Sequence, residues 1–410
     1  MKKSISLNDK NMMKSIYTSN HGFTLIEMII VMAVFIVVLV ITGESLKTIL
    51  GKGGVVLRSE ESNTEGVIGL ELMRHDLQQI GFGLFTDDLS IPSYSEAASA
   101  PYSTYNDANA VPRAIVTGDN LLVAGVLNGT DYLAVKGTTV ANSTVSQLWT
   151  YVNDTGVPKR WGRDDFTDSS NKMIAIEQKF DKSKNTMVRR LVQVSSSNYG
   201  VEYAADGTFN DLADAATTAY TPSTGKIYYL YGIDTGVTSF RAPFNRADYF
   251  ISQTPGPPVS CSPATGVLYK ATMIQSSGEF TKTPILDCVA DMQVVLGWNS
   301  TSDPEKSNEV QAYTNADGTI VSGSNPNGLN FASILGNASE VRNRLRLVMV
   351  YLLAQDGRRD PEFVNTNTSM VVGDPGIGAT LTKTVDLTTG NFRNYRWKLY
   401  RIIVRPKNLF

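Results

Sequence analysis

The feature that most constrains this chain is a run of 20 residues, Phe23–Thr42, in which Glu27 is the only charge. Met28–Ile41 is apolar without interruption, and the next charge is Glu44. At about 1.5 Å of rise per residue, a helix of that length spans roughly 30 Å, the thickness of a bilayer's hydrocarbon core. Before it lie Lys2, Lys3, Lys10 and Lys14 against one acid, Asp9. Basic flanks stay cytoplasmic, so the pattern predicts an N-terminus facing in and everything after Thr42 facing out. A secretory signal has a shorter apolar stretch followed by a small-residue cleavage site, and Gly43 alone is not one. A plain signal-anchor accounts for the charge and the length. It does not account for Glu27, a carboxylate that burial in lipid penalises unless it is paired, nor for the Gly22-Phe23 junction.

The residues around that junction, GFTLIEMIIVMAVFIVVLV, resemble the class III leader of type IV prepilins and type II secretion pseudopilins. The resemblance implies that a membrane aspartyl peptidase, the prepilin peptidase, cuts after Gly22 and methylates the new N-terminus at Phe23. Cleavage ahead of the apolar run keeps the helix. Phe23 then carries an α-amine, and Glu27 lies four residues on, on the same helix face. The resemblance implies that Glu27 pairs with the Phe23 amine of a neighbouring subunit; an intrachain pair is also compatible with the spacing.

Removal of residues 1–22 leaves 388 residues with 33 basic and 38 acidic side chains. That balance does not suggest a nucleic-acid surface, and no nucleic-acid partner is expected. The chain has two histidines, and His21 leaves with the leader, so His75 alone remains. This removes the usual general base and the commonest metal ligand, and the reading is of a protein that is not an enzyme. Cys261 and Cys288 are the only cysteines. An even count in an exported domain favours a disulfide over two buried thiols.

Past the membrane the helix is expected to continue. From Val67, the residues Leu70, Met73, Leu77 and Ile80 form one amphipathic stripe, and Gly81-Phe82-Gly83 is a plausible stop. Between the two helical stretches, Gly51-Lys52-Gly53-Gly54 predicts a kink, thinning or local melting, since each glycine costs about 1 kcal/mol against alanine in a helix. From Phe85 the texture becomes that of an antiparallel sheet with polar connections. Strands are predicted at Leu121–Val126, Asp131–Val135, Met187–Val194, Lys226–Ile233, Val289–Leu296, Leu345–Ala354 and Tyr395–Val404. Thr86–Asn120, Gly137–Ser146, Ser195–Thr224, Asn299–Gly328 and Asp356–Gly390 read as long loops. In the last strand Tyr395, Trp397, Leu399 and Ile403 share one face, and Arg396, Lys398 and Tyr400 the other. Its basic residues, from Arg393 to Lys407, read better as protection of an exposed sheet edge than as a nucleic-acid patch.

The fold class is therefore α+β, a long N-terminal hydrophobic and amphipathic helix followed by a large antiparallel β-rich head. The division is residues 1–22 as leader, 23–82 as helix with 23–42 in the membrane or filament core, and 83–410 as head, in one or two subdomains. Leu70–Phe82 is similar to the helix end of PilW-type minor pilins and their J-type pseudopilin relatives. Cys288–Asn299, Leu345–Gln355 and Tyr400–Leu409 resemble their later blocks. Gln78-Gln79 and Cys288 depart from the pattern, and about 200 central residues lie outside it. The resemblance implies a structural subunit that primes or caps a filament. Its partners would be other minor and major pilins, and it would reside first in the inner membrane with a periplasmic head and later in the pilus. The alternatives are a J-type pseudopilin of a type II secretion system and an adhesin or ligand-binding head on a pilin stem. Asp164-Asp165-Phe166-Thr167-Asp168, Asp206-Gly207 with Asp211, and Asp356 with Asp360 offer oxygen ligands, but none has the spacing of a calcium loop, and turns explain them better. No cofactor and no metal is assigned.

Overall fold

The computed structural model describes residues 23–409 apart from 142, 160, 162–165, 167–169, 204–208, 213–219, 302–307, 361, 378–382 and 390–391. The chain forms two bodies, Met1–Leu57 and Arg58–Phe410. Helix α1 runs from Leu25 to Gln78. Its helical backbone passes through Gly51–Gly54, so of the kink, thinning or local melting expected there, melting is not seen. Once a helix is nucleated, each added residue contributes a bond, so a few glycines lower its stability without ending it. Beyond Gln78 the chain turns at Gly81 and Gly83, both left-handed with φ of 82° and 68°. This is the conformation glycine adopts without steric cost.

In the second body, the last turns of α1 lie on a sheet. Leu70, Met73, Leu77 and Ile80 are buried in the main core, as the stripe predicts. Val67 is not part of it and is 51% exposed. At 3.6 residues per turn it stands roughly 100° from the centre of the stripe. Gly66 and Gly69 continue the stripe in its place, and both are buried. A Cβ on Gly69 would come within 2.2 Å of the Ile285 carbonyl oxygen, and one on Gly66 within 2.8 Å of Leu286. The helix therefore reaches the sheet backbone where it has no side chain.

The larger sheet has nine antiparallel strands. Its path runs β1 (Ile115–Leu121), β2 (Thr130–Gly137), β9 (Asn245–Ser252), β10 (Gly266–Met273) and β11 (Phe280–Trp298), then β12 (Ala312–Thr314) and β13 (Ile320–Gly323). On the other side of β11 lie β14 (Leu345–Asp356) and then β17 (Arg396–Val404). The smaller sheet has the order β3 (Trp149–Val152), β8 (Tyr228–Thr235), β4 (Asn171–Asp181), β6 (Gly200–Tyr203) and β7 (Phe209–Asp211), with β5 (Thr186–Leu191) also on β4. A separate hairpin joins β15 (Ser369–Val372) to β16 (Lys383–Asp386).

The two sheets share one core. Leu133, Tyr249, Leu268, Met292, Val350 and Ile402 from the larger meet Ile174, Ile176, Leu191 and Ile233 from the smaller, together with the helix stripe. Alternate residues of β2 serve the two faces, Leu133 and Val135 the main core, Tyr132 and Ala134 an aromatic layer with Tyr105 and Phe250, as the period of two requires.

Several strand expectations need correction. Leu121 ends β1, and Leu122 is exposed in the turn that follows. The strand lies upstream in Ile115–Leu121, inside a stretch read as loop, and Asn120 (φ 44°) and Gly125 (φ 88°) bend the chain away. β12–β13 and β15–β16 likewise lie inside predicted loops. β17 is an edge strand paired only with β14, as expected. Its faces differ from the prediction: Tyr400, Ile402 and Val404 serve the main core, Trp397 and Leu399 pack beside the hairpin, and Ile403 is 44% exposed.

Cys261 and Cys288 are bonded, with Cα atoms 5.1 Å apart. The bridge ties the segment between β9 and β10 to a register shift in β11. In the chain-entropy picture, a loop of 27 residues contributes roughly 3–4 kcal/mol.

The helix also carries a buried charge into the sheet. Asp76 accepts hydrogen bonds from Tyr249 Oη at 2.5 Å and Lys270 Nζ at 2.7 Å, and all three side chains are buried. Burial and the Asp76 charge hold the Tyr249 phenol well above its usual range. Removing one partner of such a pair strands the other charge and costs about 3–5 kcal/mol. Asp76→Asn should therefore lower unfolding stability by that amount in a urea titration of the full chain. Asp76→Asn with Lys270→Met should recover most of it; simple additivity of the two losses would contradict the pairing. Thiol labelling of denatured, unreduced protein should find no free cysteine, and two reactive thiols would contradict the bridge.

Candidate functional site: the helix start

The predicted processing site stands where α1 begins. Gly22 lies outside the described residues. Phe23 and Thr24 precede the first helical residue, Leu25, and Phe23 is 81% exposed. From Leu25 to Lys47 the helix is long and apolar enough to cross a membrane, with a mean hydropathy of 3.1. Phe35, Val38, Leu39 and their neighbours are exposed on every side. A helix apolar all round requires an apolar surrounding, either lipid or other helices. Within it, Thr42 Oγ1 donates to the Val38 carbonyl at 2.8 Å, so this hydroxyl adds no unsatisfied polar group.

Glu27 has a partner in its own chain, and it is not an amine. Its Oε2 accepts from the Thr24 backbone N–H at 2.9 Å and from Thr24 Oγ1 at 3.0 Å. In return, Thr24 Oγ1 receives the Glu27 backbone N–H at 3.3 Å. This is a reciprocal capping box: Thr24 is the N-cap and Glu27 the third helical residue. The signal for it was present in the sequence as Thr24-x-x-Glu27 ahead of an apolar run, and a reading centred on the charge alone misses it. Thr24 lies after the junction, so the box does not depend on residues 1–22. Both bonds fall on Oε2, and among the described residues Oε1 is open to a further donor. Glu27 thus acts as a helix cap and can accept an additional cation.

The head's charged chemistry is largely internal. Glu96, Lys136, Arg246 and Asp248 are fully buried and interlocked: Lys136 meets Glu96 at 2.8 Å and Asp107 at 2.7 Å, and Arg246 meets Glu96 at 3.0 Å and Asp248 at 2.7 Å. Arg113 closes the set on Asp107 at 2.6 Å. Three cations face three carboxylates, and Tyr132 adds its hydroxyl to Asp248 at 2.5 Å. The network pins the irregular segment around Glu96 and Asp107 onto β2 and β9. Its members have partners, which suits a scaffold. His75, half-exposed beside Asp76 at 3.5 Å, is raised in pKa by that hydrogen bond.

Of the oxygen-rich sites, Asp164, Asp165, Asp168 and Asp206 lie outside the described residues. Asp360 is engaged by Arg396 at 3.1 Å. Among the described residues no group of three or more His, Cys, Asp or Glu is placed to hold a metal ion.

Residues 17–43 match the prokaryotic N-terminal methylation motif. No curated protein and no solved structure matches the chain. The motif covers the junction, the capping box and most of the apolar helix, and it supports a pilin- or pseudopilin-type protein, of the structural rather than the catalytic kind. The leader implies processing by a prepilin peptidase and assembly with other pilins.

Proposed function

We propose that this chain is a minor pilin of the PilW type, a structural component that primes or caps a type IV pilus. The observation that carries the reading is the Thr24–Glu27 box at the head of a bare apolar helix, with Glu27 Oε1 unengaged among the described residues. Before cleavage, Phe23 is in peptide linkage and the box alone satisfies the carboxylate. Cleavage after Gly22 creates the Phe23 amine, which methylation leaves cationic. In the inner membrane the chain stands with its N-terminus cytoplasmic and its head periplasmic. When its helix joins a bundle of like helices, Glu27 Oε1 receives a neighbour's Phe23 amine while Oε2 stays on Thr24. The carboxylate then fixes the axial register of the subunit, the best-attested use of a buried charge.

A J-type pseudopilin of a type II secretion system would use the same residues in the same way. The large β-rich head and the length of the chain favour the pilus.

Two experiments test the proposal. Gly22→Ala should abolish processing, so that the protein migrates at its precursor size; a band of mature size would sink the assignment. Glu27→Ala should leave processing intact and sharply reduce recovery of the protein in sheared filaments. Thr24→Ala removes the cap and keeps the carboxylate, and should lower incorporation by no more than about fivefold, given an N-cap worth on the order of 1 kcal/mol. Equal losses from both substitutions would assign Glu27 to capping alone.

A further inference from the structure

A groove of about 770 Å³ opens on the head between β5, the short helix Ala338–Arg344, the chain after Phe82 and the C-terminal residues Lys407–Leu409. That volume falls in the range of small-molecule sites. Its charge is one-sided: Arg189, Arg342, Lys184 and Lys407 line it, and among the described residues no aspartate or glutamate does. Lys184 is paired with Asp88. Arg189 and Arg342 are not. Among the described residues neither guanidinium makes an ion pair or a side-chain hydrogen bond, whereas the buried Arg246 has two carboxylates, an amide oxygen and a carbonyl.

Both arginines are held in place. The Arg189 backbone is fixed twice to Thr86, donating to its Oγ1 at 2.8 Å and accepting its N–H at 2.7 Å. Arg342 sits on a helix capped by Asn337, whose side chain accepts from Ser339 and Glu340. Burial lowers both pKa values, and the Arg189 charge adds to the effect at Arg342, pushed down to about 10. Both remain protonated at neutral pH. Two partly desolvated cations lining one groove, with no counter-ion among the described residues, are a cost to the empty fold, and a bound anion would remove it.

We propose that this groove binds a phosphate monoester, its dianionic head held between Arg189 and Arg342. A dianion balances both charges, and guanidinium forks match phosphate oxygens in pairs. The groove is larger than one phosphate. The Phe82 and Tyr231 rings, edge to face at 5.2 Å, provide an apolar wall for an organic body. The site is independent of the helix start and holds whichever filament the chain joins.

Calorimetric titration of the full-length protein in detergent, at constant ionic strength, tests this with phenyl phosphate, inorganic phosphate and acetate as probes. Saturable binding is expected, tightest for phenyl phosphate and absent for acetate. Arg342→Gln and Arg189→Gln should each weaken it at least about tenfold, the value of one charge-assisted hydrogen bond. Ligand-free Arg342→Gln should melt no lower than the parent, because it relieves repulsion. The proposal is overturned by absence of saturation up to about 10 mM phenyl phosphate, a weakness beyond useful affinity. Unchanged binding in both variants, or a ligand-free Arg342→Gln that melts several degrees lower and so reveals a structural partner, would overturn it equally.

Discussion

Asp76, Lys270 and Tyr249 form the contact on which the head depends. A helix that leaves an apolar environment must be gripped where it meets the globular part, and an apolar stripe alone would allow it to slide or rotate. Gly66 and Gly69 bring its backbone against β11, and the Leu70–Ile80 stripe supplies burial. The buried ion pair sets position, since any shift by one residue would strand both charges in a dry interface. Because β9 and β10 present the two partners, the same contact ties the helix to the centre of the nine-stranded sheet.

How much of this the sequence disclosed depended on where charge was placed. The apolar helix, its glycine stop, the stripe from Leu70 and the strands around Val135, Val350 and Val404 follow ordinary hydrophobic periodicity and were legible. β4, β9 and β10 were not. Each carries charged residues, Lys172, Arg246 with Asp248, and Lys270, that read as surface until the ion pairs burying them are seen. Partners distant in sequence, such as Glu96 for Arg246, leave no local trace. Val67 was placed on the stripe for the complementary reason: the true continuation is glycine, which carries no hydrophobic signal.

At the helix start, charge placement serves a different end. Glu27 is anomalous only if its partner must be another charge. The Thr24 box satisfies one oxygen locally, and the exposed apolar surface beneath requires a surrounding of lipid or like helices. Under the proposed processing, a single residue would suit two environments in turn, capping the helix through Thr24 and offering its other oxygen to an amine created by cleavage. The head contrasts with this economy. Its buried charges are mostly neutralised in closed networks, which is why the unpaired arginines of the groove stand out.

Intact-mass analysis of the protein purified from membranes decides whether the helix start is processed and methylated as proposed. The account predicts a chain beginning at Phe23 and bearing one added methyl group on its amine. A chain that retains residues 1–22, or one cut after the apolar run, would contradict it.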